Sequence, residues 1–318
     1  MSNLCEELEA KRPDGPTAVA FGVFDGVHLG HLHLLRQLQA AAAQRRLTPV
    51  VVTLSNHPLS VLRPQVPVVL ISSLKERLAL LQAAGFDHVI PVTFTREISF
   101  YSAAEFMRAL CDCAGLRHLV AGPDFALGHE REGTLPVLTS LGTELGYTVQ
   151  TVDTFGLGDA PVRSTGVREA LSAGDIEVAA RLLGRPFALD GPVVEGEGRG
   201  EGLLGFPTAN LGLGPLQALP ADGIYATWAT IGGERYAAAT SVGIKPTFHA
   251  EGPRVVEAFV LDFDGDLYGK NVRLEFVKRL RDQERFDQVE ALIEQMRRDV
   301  ERTREALAAT ASTASATA

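Results

Sequence analysis

Residues 18–43 read AVAFGVFDGVHLGHLHLLRQLQAAAA. The opening run, 18–21, is short and apolar, as a buried strand is. A glycine-punctuated turn follows directly. From residue 32 to 43 the apolar positions return at helical spacing. A strand that passes through a tight turn into a helix is the opening unit of a parallel sheet with helices on its faces. Outward from it, strand runs recur at 49–53, 89–92, 118–121 and 147–152, with an amphipathic stretch at 74–84. Ligands of such sheets sit beyond the carboxyl ends of the strands, so the turn itself becomes a candidate site.

The pattern changes near residue 185. Ser164 can cap a helix that breaks at Ala173-Gly174-Asp175, and a second helix is stopped by Gly184-Arg185-Pro186. Beyond it, strand runs at 187–194, 223–230, 235–241, 255–262 and 271–276 predict a small β-barrel, since closure removes exposed edges. A final helix is predicted over 287–307, with Val289, Leu292, Ile293, Met296 and Val300 on the face that meets the barrel. The fold class expected is therefore α/β plus β, with domains at 1–185 and 186–308. The tail 309–318 has no large apolar group and is expected to be disordered.

Composition narrows the function. The 318 residues are 46% hydrophobic and 22% charged, with a net charge of -9. That charge argues against a broad nucleic-acid surface. The first residues are charged, without the apolar core of a signal peptide, and no run reaches the ~20 apolar residues of a membrane helix. A cytoplasmic protein without membrane partners is expected. Cys5, Cys111 and Cys113 are few, odd in number and without a second C-x-C pair. They read as buried or idle thiols in a reducing compartment rather than a zinc site or a disulfide framework.

The turn carries the first chemistry. His28 and His31 stand three residues apart at the mouth of a helix, on one face. Helix N-termini offer free N–H groups and partial positive charge, which suits a polyphosphate. Gly22 and Gly30 permit close backbone approach. A bare H-x-x-H more often marks two surface histidines; the complete string between strand and helix carries more than that.

GVFDGVHLGH resembles the HxGH signature of the nucleotidyltransferase superfamily, and other segments point to its bacterial FAD synthetase branch. The resemblance makes the first domain Rossmann-like. It implies that His28 and His31 are catalytic and that Gly22, Phe24, Asp25 and Gly30 line the ATP phosphates. AGPDFALGHEREG resembles that family's aspartate-phenylalanine loop, which places Asp124, Phe125 and Gly128 near nucleotide and flavin. RSTGVREAL resembles its S-S/T-x-x-R segment, implying that Ser164, Thr165 and Arg168 meet ATP phosphates; on pattern alone the hydroxyls read as an N-cap. The family's F-x-P-H-P string stands here as Thr53-Leu-Ser-Asn-His-Pro58. His57, the implied flavin contact, is kept, while the aromatic and the first proline are not.

The second chemistry lies in GEGRGEGLLGFPTANL, 196–211. A glycine loop can fold over phosphates with backbone donors, and Gly198 and Gly200 are the candidates. Glycine richness alone more often marks a plain turn. Thr208 and Asn210 offer hard oxygens suited to Mg2+. FPTAN resembles the PTAN motif of riboflavin kinases, in which these two positions meet metal and ATP. In 255–261, alternation puts Val255, Glu257, Phe259 and Leu261 on one strand face. Pattern alone leaves Glu257 either a general base or an edge-strand glutamate reaching solvent. The resemblance implies the former. SVGIKPTF resembles the kinase module's G-x-N-P-T-F turn, with Lys245 for asparagine. Arg281, in KRLR with Phe286, is implied as a flavin contact; a solvated basic face fits the pattern nearly as well.

The resemblance spans about residues 16 to 305, with motifs in the family's order in both halves. It implies the bifunctional enzyme that makes FMN from riboflavin and ATP, then FAD from FMN. A riboflavin kinase with an impaired first domain is the alternative. A flavin-binding protein with idle sites would not need both histidines, Thr208, Asn210 and Glu257. A cytidylyltransferase would leave FPTAN unexplained.

Overall fold

The computed structural model describes residues 3–158, 160–195, 208–244, 254–286 and 288–315. The chain divides into two compact units between Ser164 and Thr165. In the first, α1 (Asn3–Glu9), β1 (Thr17–Gly22), α2 (Leu29–Arg45), β2 (Thr48–Leu54), α3 (Pro58–Leu62), α4 (Leu74–Ala83) and β3 (His88–Val92) follow in order. They are succeeded by α5 (Ala103–Cys113), β4 (Leu116–Ala121), β5 (Ala126–Leu127), β6 (Gly133–Thr134), α6 (Leu135–Leu145), β7 (Thr148–Thr151) and the ribbon β8 (Gly156–Leu157) and β9 (Ala160–Pro161).

The five-stranded sheet has order β3-β2-β1-β4-β7, and its pairings are parallel. Alternation along β1 sends Val19 to one apolar core and Ala18 and Ala20 to the other. Both faces are therefore covered, as a parallel sheet requires. Ser102 caps α5 in a reciprocal capping box with Glu105, and the Ala103 N–H of the same turn donates to Glu132 at 2.8 Å.

The cysteine reading is corrected here. Cys5 and Cys113 are joined as a disulfide with Cα atoms 5.3 Å apart, across 108 residues of sequence. The link follows from the packing of α1 against α5, which linear spacing does not display. Cys111 is free and buried, and burial pushes its thiol up to about 11.

The second unit opens with α7 (Ser164–Ala173), whose residues from Thr165 belong to it, and α8 (Ile176–Leu183). The buried face of α8, Ile176, Ala179 and Leu183, lies against the barrel. For that reason the contact boundary falls ahead of these helices, whereas the change in sequence pattern falls after them. The strands β10 (Phe187–Val194), β11 (Thr208–Leu211), β12 (Gly223–Ile231), β13 (Glu234–Ile244), β14 (Arg254–Val260) and β15 (Asn271–Arg281) form a closed barrel of order β10-β11-β14-β13-β12-β15. Inside it, Thr227 and Thr240 satisfy each other at 2.7 Å, and the Thr227 hydroxyl also reaches Ala238 O at 3.0 Å.

The last helix, α9 (Val289–Ser315), crosses the outside of the barrel. Met296 and Val300 pack on Ala239, Phe259 and Leu261, and Leu307 packs on Ala226 and Leu280. The helix runs past residue 308, into the segment expected to be disordered. Alanine, which dominates that stretch, has the strongest intrinsic helix preference. Val289, expected on the packed face, is 52% exposed.

Candidate functional site

In the first unit, β1 ends at Gly22 and α2 begins at Leu29. The turn between them is tightly wound: Phe24, Gly26 and Val27 all have positive φ. Only glycine takes such a φ without strain, and a Cβ on Gly26 would also lie 2.8 Å from Ile71. Asp25 holds the turn from below. Its carboxylate is buried and accepts from the backbone N–H groups of Ile71 and Ser72 at 3.0 to 3.1 Å. Asp25 is therefore placed as an anchor of the turn.

His28 is the N-cap of α2, its Nδ1 accepting from the backbone N–H of His31 at 3.3 Å. That bond leaves Nε2 as the nitrogen that carries the proton in neutral His28. The two imidazoles stack, with centroids 3.6 Å apart and planes at 17°, and Phe24 meets His31 edge-on at 5.2 Å. Burial, then His28, then Arg77 hold His31 well below the usual histidine range. His31 is thus a neutral imidazole near pH 7, able to donate one hydrogen bond. Gly30 is confined from outside: a Cβ there would sit 2.6 Å from Val162 O. Ser164 reaches the same turn, its hydroxyl donating to Asp25 O at 3.2 Å. Thr165 and Arg168 follow on α7 and fall in the second unit.

The neighbouring candidates lie on loops of the same unit. His57 caps α3 through Nδ1, which accepts from Leu59 N–H. Asn56, where the string departs from the family pattern, pairs both ways with the Phe94 backbone at 2.8 and 2.9 Å. Asp124 is exposed and bonded to Arg163 at 2.8 Å, while Phe125 packs edge-on to Phe21. Gly128 is required, since a Cβ would lie 2.6 Å from Ala103 N.

In the second unit the register of β11 with β14 and β13 assembles the candidate site. Asn210 stands opposite Glu257, Thr208 opposite Phe259, and Ser241 opposite Glu257 from the other side. Residues paired across antiparallel strands share a face. That face is the barrel's exterior, because Val256, Ala258 and Val260 fill the interior. The row containing Glu257 is apolar for a different reason than burial inside the barrel: α9 covers Phe259 and Leu261, while Glu257 stays partly exposed. Gln283 donates to Ser241 at 3.1 Å. Arg281 is engaged elsewhere. Its Nε and Nη2 hold Asp299 of α9 at 2.9 and 2.6 Å, and Nη1 donates to Asp282 O. Gly198, Gly200 and Lys245 lie outside the described residues.

Sequence reasoning missed β11 as a strand, reading only its motif, and it missed Asp25 as an anchor and Arg77 altogether. The available signal for Arg77 was a charge at a position three after Leu74 and four before Leu81, on the apolar face of LKERLALLQA.

The parallel sheet with its histidine-bearing turn, and the closed barrel with Asn210 facing Glu257, define a chain with a nucleotidyltransferase-type unit and a separate kinase-type barrel. The FAD synthetase family model matches residues 10–166 and the riboflavin kinase model residues 183–307. The bifunctional riboflavin kinase/FMN adenylyltransferase of Pseudomonas fluorescens is 36% identical over 96% of this chain and 98% of that protein. Those of Bacillus subtilis and Escherichia coli K12 are each 33% identical, over 93% of both chains and over 91% and 92% respectively. A crystal structure described as a macrolide-efflux protein from Streptococcus pneumoniae is 31% identical, with TM-score 0.83 over 93% of this chain and 96% of that one. Among the described residues no helix is long and apolar enough to cross a membrane. The chain belongs to the bifunctional riboflavin kinase/FMN adenylyltransferase family.

Proposed function

We propose that the second unit transfers the γ-phosphate of ATP to riboflavin and that the first transfers AMP from a second ATP to the resulting FMN. The carrying observation is that one chain holds both the stacked His28–His31 pair at the start of α2 and Glu257 in register with Asn210. In the kinase step Glu257 takes the proton of the terminal ribityl hydroxyl. That oxygen bonds to the γ-phosphorus as the bond to ADP breaks. In the second step an FMN phosphate oxygen bonds to the α-phosphorus of ATP and pyrophosphate leaves. His28 and His31 donate hydrogen bonds to the phosphates as charge shifts to pyrophosphate, and the N-terminus of α2 adds its dipole.

Asn210, in register with Glu257, offers a hard oxygen, which fits Mg2+. Thr208 and Asn210 would hold that ion, whose charge would offset that of the phosphates. For the adenylyl step, Gly22, Phe24 and Gly30 shape the turn around the nucleotide, with Ser164, Thr165 and Arg168 at the phosphates. His57, Asp124 and Phe125 are assigned to the flavin. The functional domains are assigned to 1–185 and 186–308. A cytoplasmic location without a membrane partner is part of the same reading, and the net charge of -9 argues against a nucleic-acid partner.

A time course with riboflavin, ATP and Mg2+, resolved by chromatography, tests the whole scheme. FMN should rise and then give way to FAD. FMN without FAD would turn the first unit into a relic and direct attention to residues 53–58. His31→Ala should abolish FAD formation and spare riboflavin phosphorylation; Glu257→Ala should do the reverse. Loss of both activities from either change in a folded protein would refute two independent sites.

A further inference from the structure

Arg77 is the largest fully buried side chain of the described residues, with 0% exposure, yet it carries a charge. It sits on α4, whose N-cap Ser73 follows directly on the Ile71–Ser72 segment that grips Asp25. Its Nη1 donates to Leu54 O at 2.6 Å and to Val23 O at 2.7 Å, with Thr53 Oγ1 at 3.4 Å. Val23 is the first residue beyond β1, and Leu54 is the last residue of β2. One guanidinium nitrogen thus ties together the carboxyl ends of two neighbouring strands, at the edge where such sheets receive ligands.

The rest of the guanidinium is unused: Nε and Nη2 are buried without a hydrogen-bond partner. Buried polar groups in native proteins are nearly always satisfied, and an exception calls for a reason. Bridging accounts for Nη1 alone: the Asp25 carboxylate supplies an opposite charge, but neither it nor the two carbonyls gives Nε and Nη2 a hydrogen-bond acceptor. On the 22–31 turn itself, His31 Nδ1 is likewise buried without a hydrogen-bond partner.

We propose that Arg77 is a positioning residue for adenylyl transfer, tying the ends of β1 and β2 beneath the 22–31 turn and holding the His28–His31 pair in its stacked arrangement from below. The proposal rests on the reading of the first unit as the adenylyltransferase. Arg77 acts through the turn and through its field, and does not touch the nucleotide. The charged groups that act on His31 are His28, from the same turn, and Arg77, from α4; Asp25, which anchors the turn, acts on Arg77 with the opposite charge. Burial does most to keep a second proton off His31, and the charges of His28 and Arg77 add to it. That keeps the stacked imidazoles from repelling one another.

The test uses full-length protein with Arg77→Met, which removes the charge, and Arg77→Lys, which keeps it but loses the fork. Riboflavin phosphorylation by the other unit serves as the internal control. Arg77→Met should lower kcat for FAD formation from FMN by about a hundredfold, as expected for a displaced reacting group. The His31 imidazole titration, followed by NMR, should move upward, and the acid limb of the kcat profile should move with it. Arg77→Lys should leave that titration in place and give a kcat between the two. Parent-like kcat, or an unmoved His31 titration in a folded Arg77→Met protein, would overturn the proposal. If Arg77→Met does not fold, Arg77→Lys decides: lowered kcat with unchanged KM for ATP and unchanged titration supports the proposal, and parent-like kcat overturns it. A parent protein that makes no FAD would instead refute the reading of the first unit, which the titration distinguishes because it needs no turnover.

Discussion

The Arg281–Asp299 pair joins the last barrel strand to α9, and its worth can be worked from its geometry. The side chains are 12% and 5% exposed, and the contact is bidentate. Gln295 also donates to Asp299 at 3.0 Å. Asp299→Ala leaves the guanidinium buried and without its carboxylate. Removing one partner of a buried pair costs about 3–5 kcal/mol, because the remaining charge stays desolvated. In a unit of this size each kcal/mol shifts Tm by about 2–4 °C, so a fall of about 6–20 °C is expected. The chain has a single tryptophan, Trp228, and it lies on β12 of the second unit. Its emission during heating therefore reports this unit alone. Arg281→Met combined with Asp299→Leu should recover most of the loss, since apolar replacement of a whole buried pair is nearly neutral. A single-variant shift below about 2 °C, under one kcal/mol on the same scale, would show that solvent reaches the pair and would refute the reasoning. The double variant also separates two roles for Arg281. Restored stability with weakened riboflavin binding would make it a flavin contact as well as a strut.

Three further outcomes are expected. Gly30→Ala, whose Cβ would lie 2.6 Å from Val162 O, should displace the histidine turn and reduce FAD formation by about a hundredfold, with riboflavin phosphorylation unchanged in the same sample. His31 and His118 both have folded-state pKa values below 6.5, chiefly through burial. Below that pH the unfolded chain binds the extra protons, so the first unit should lose stability as pH falls from 6.5 towards the folded values and show no such histidine contribution above it. Calorimetry across that range checks the sign. Cys5→Ser should cost the oxidised protein about 2–4 kcal/mol, since the link closes a long loop, and the difference should vanish under reductant.

The parallel sheet was legible because β1, β2 and β3 carry short apolar runs, and the barrel because five of its strands alternate. β11 was not, since Thr208 to Leu211 pairs as only four residues, too few for a period to emerge. The helices α5 and α6 escaped the sequence pattern although α5 has one buried face. His28 and His31 could be placed at a helix mouth from spacing alone, and the structure puts them there. What spacing could not give was the support beneath them. Asp25 reads as a polar residue in a nucleotide loop, and only the fold reveals that its carboxylate turns inward to Ile71 and Ser72. The same limit applies to Glu257. Alternation identified its neighbours, but whether that row faced the barrel's interior or the covering helix depended on α9.

Barrel closure has a consequence for how the chain is made. β10 pairs with β15 over the registers from Phe187↔Phe276 to Pro192↔Asn271, so the first strand to leave the ribosome waits for the last. The N-terminal sheet has all its strands by Thr151 and can be complete while the barrel is still being translated. Until Arg281 has emerged, β10 and β12 each lack the partner that covers one edge, and open edges invite pairing with other chains. The nascent second unit is therefore the aggregation-prone stage of biosynthesis, and slowing translation between residues 187 and 281 should lengthen it.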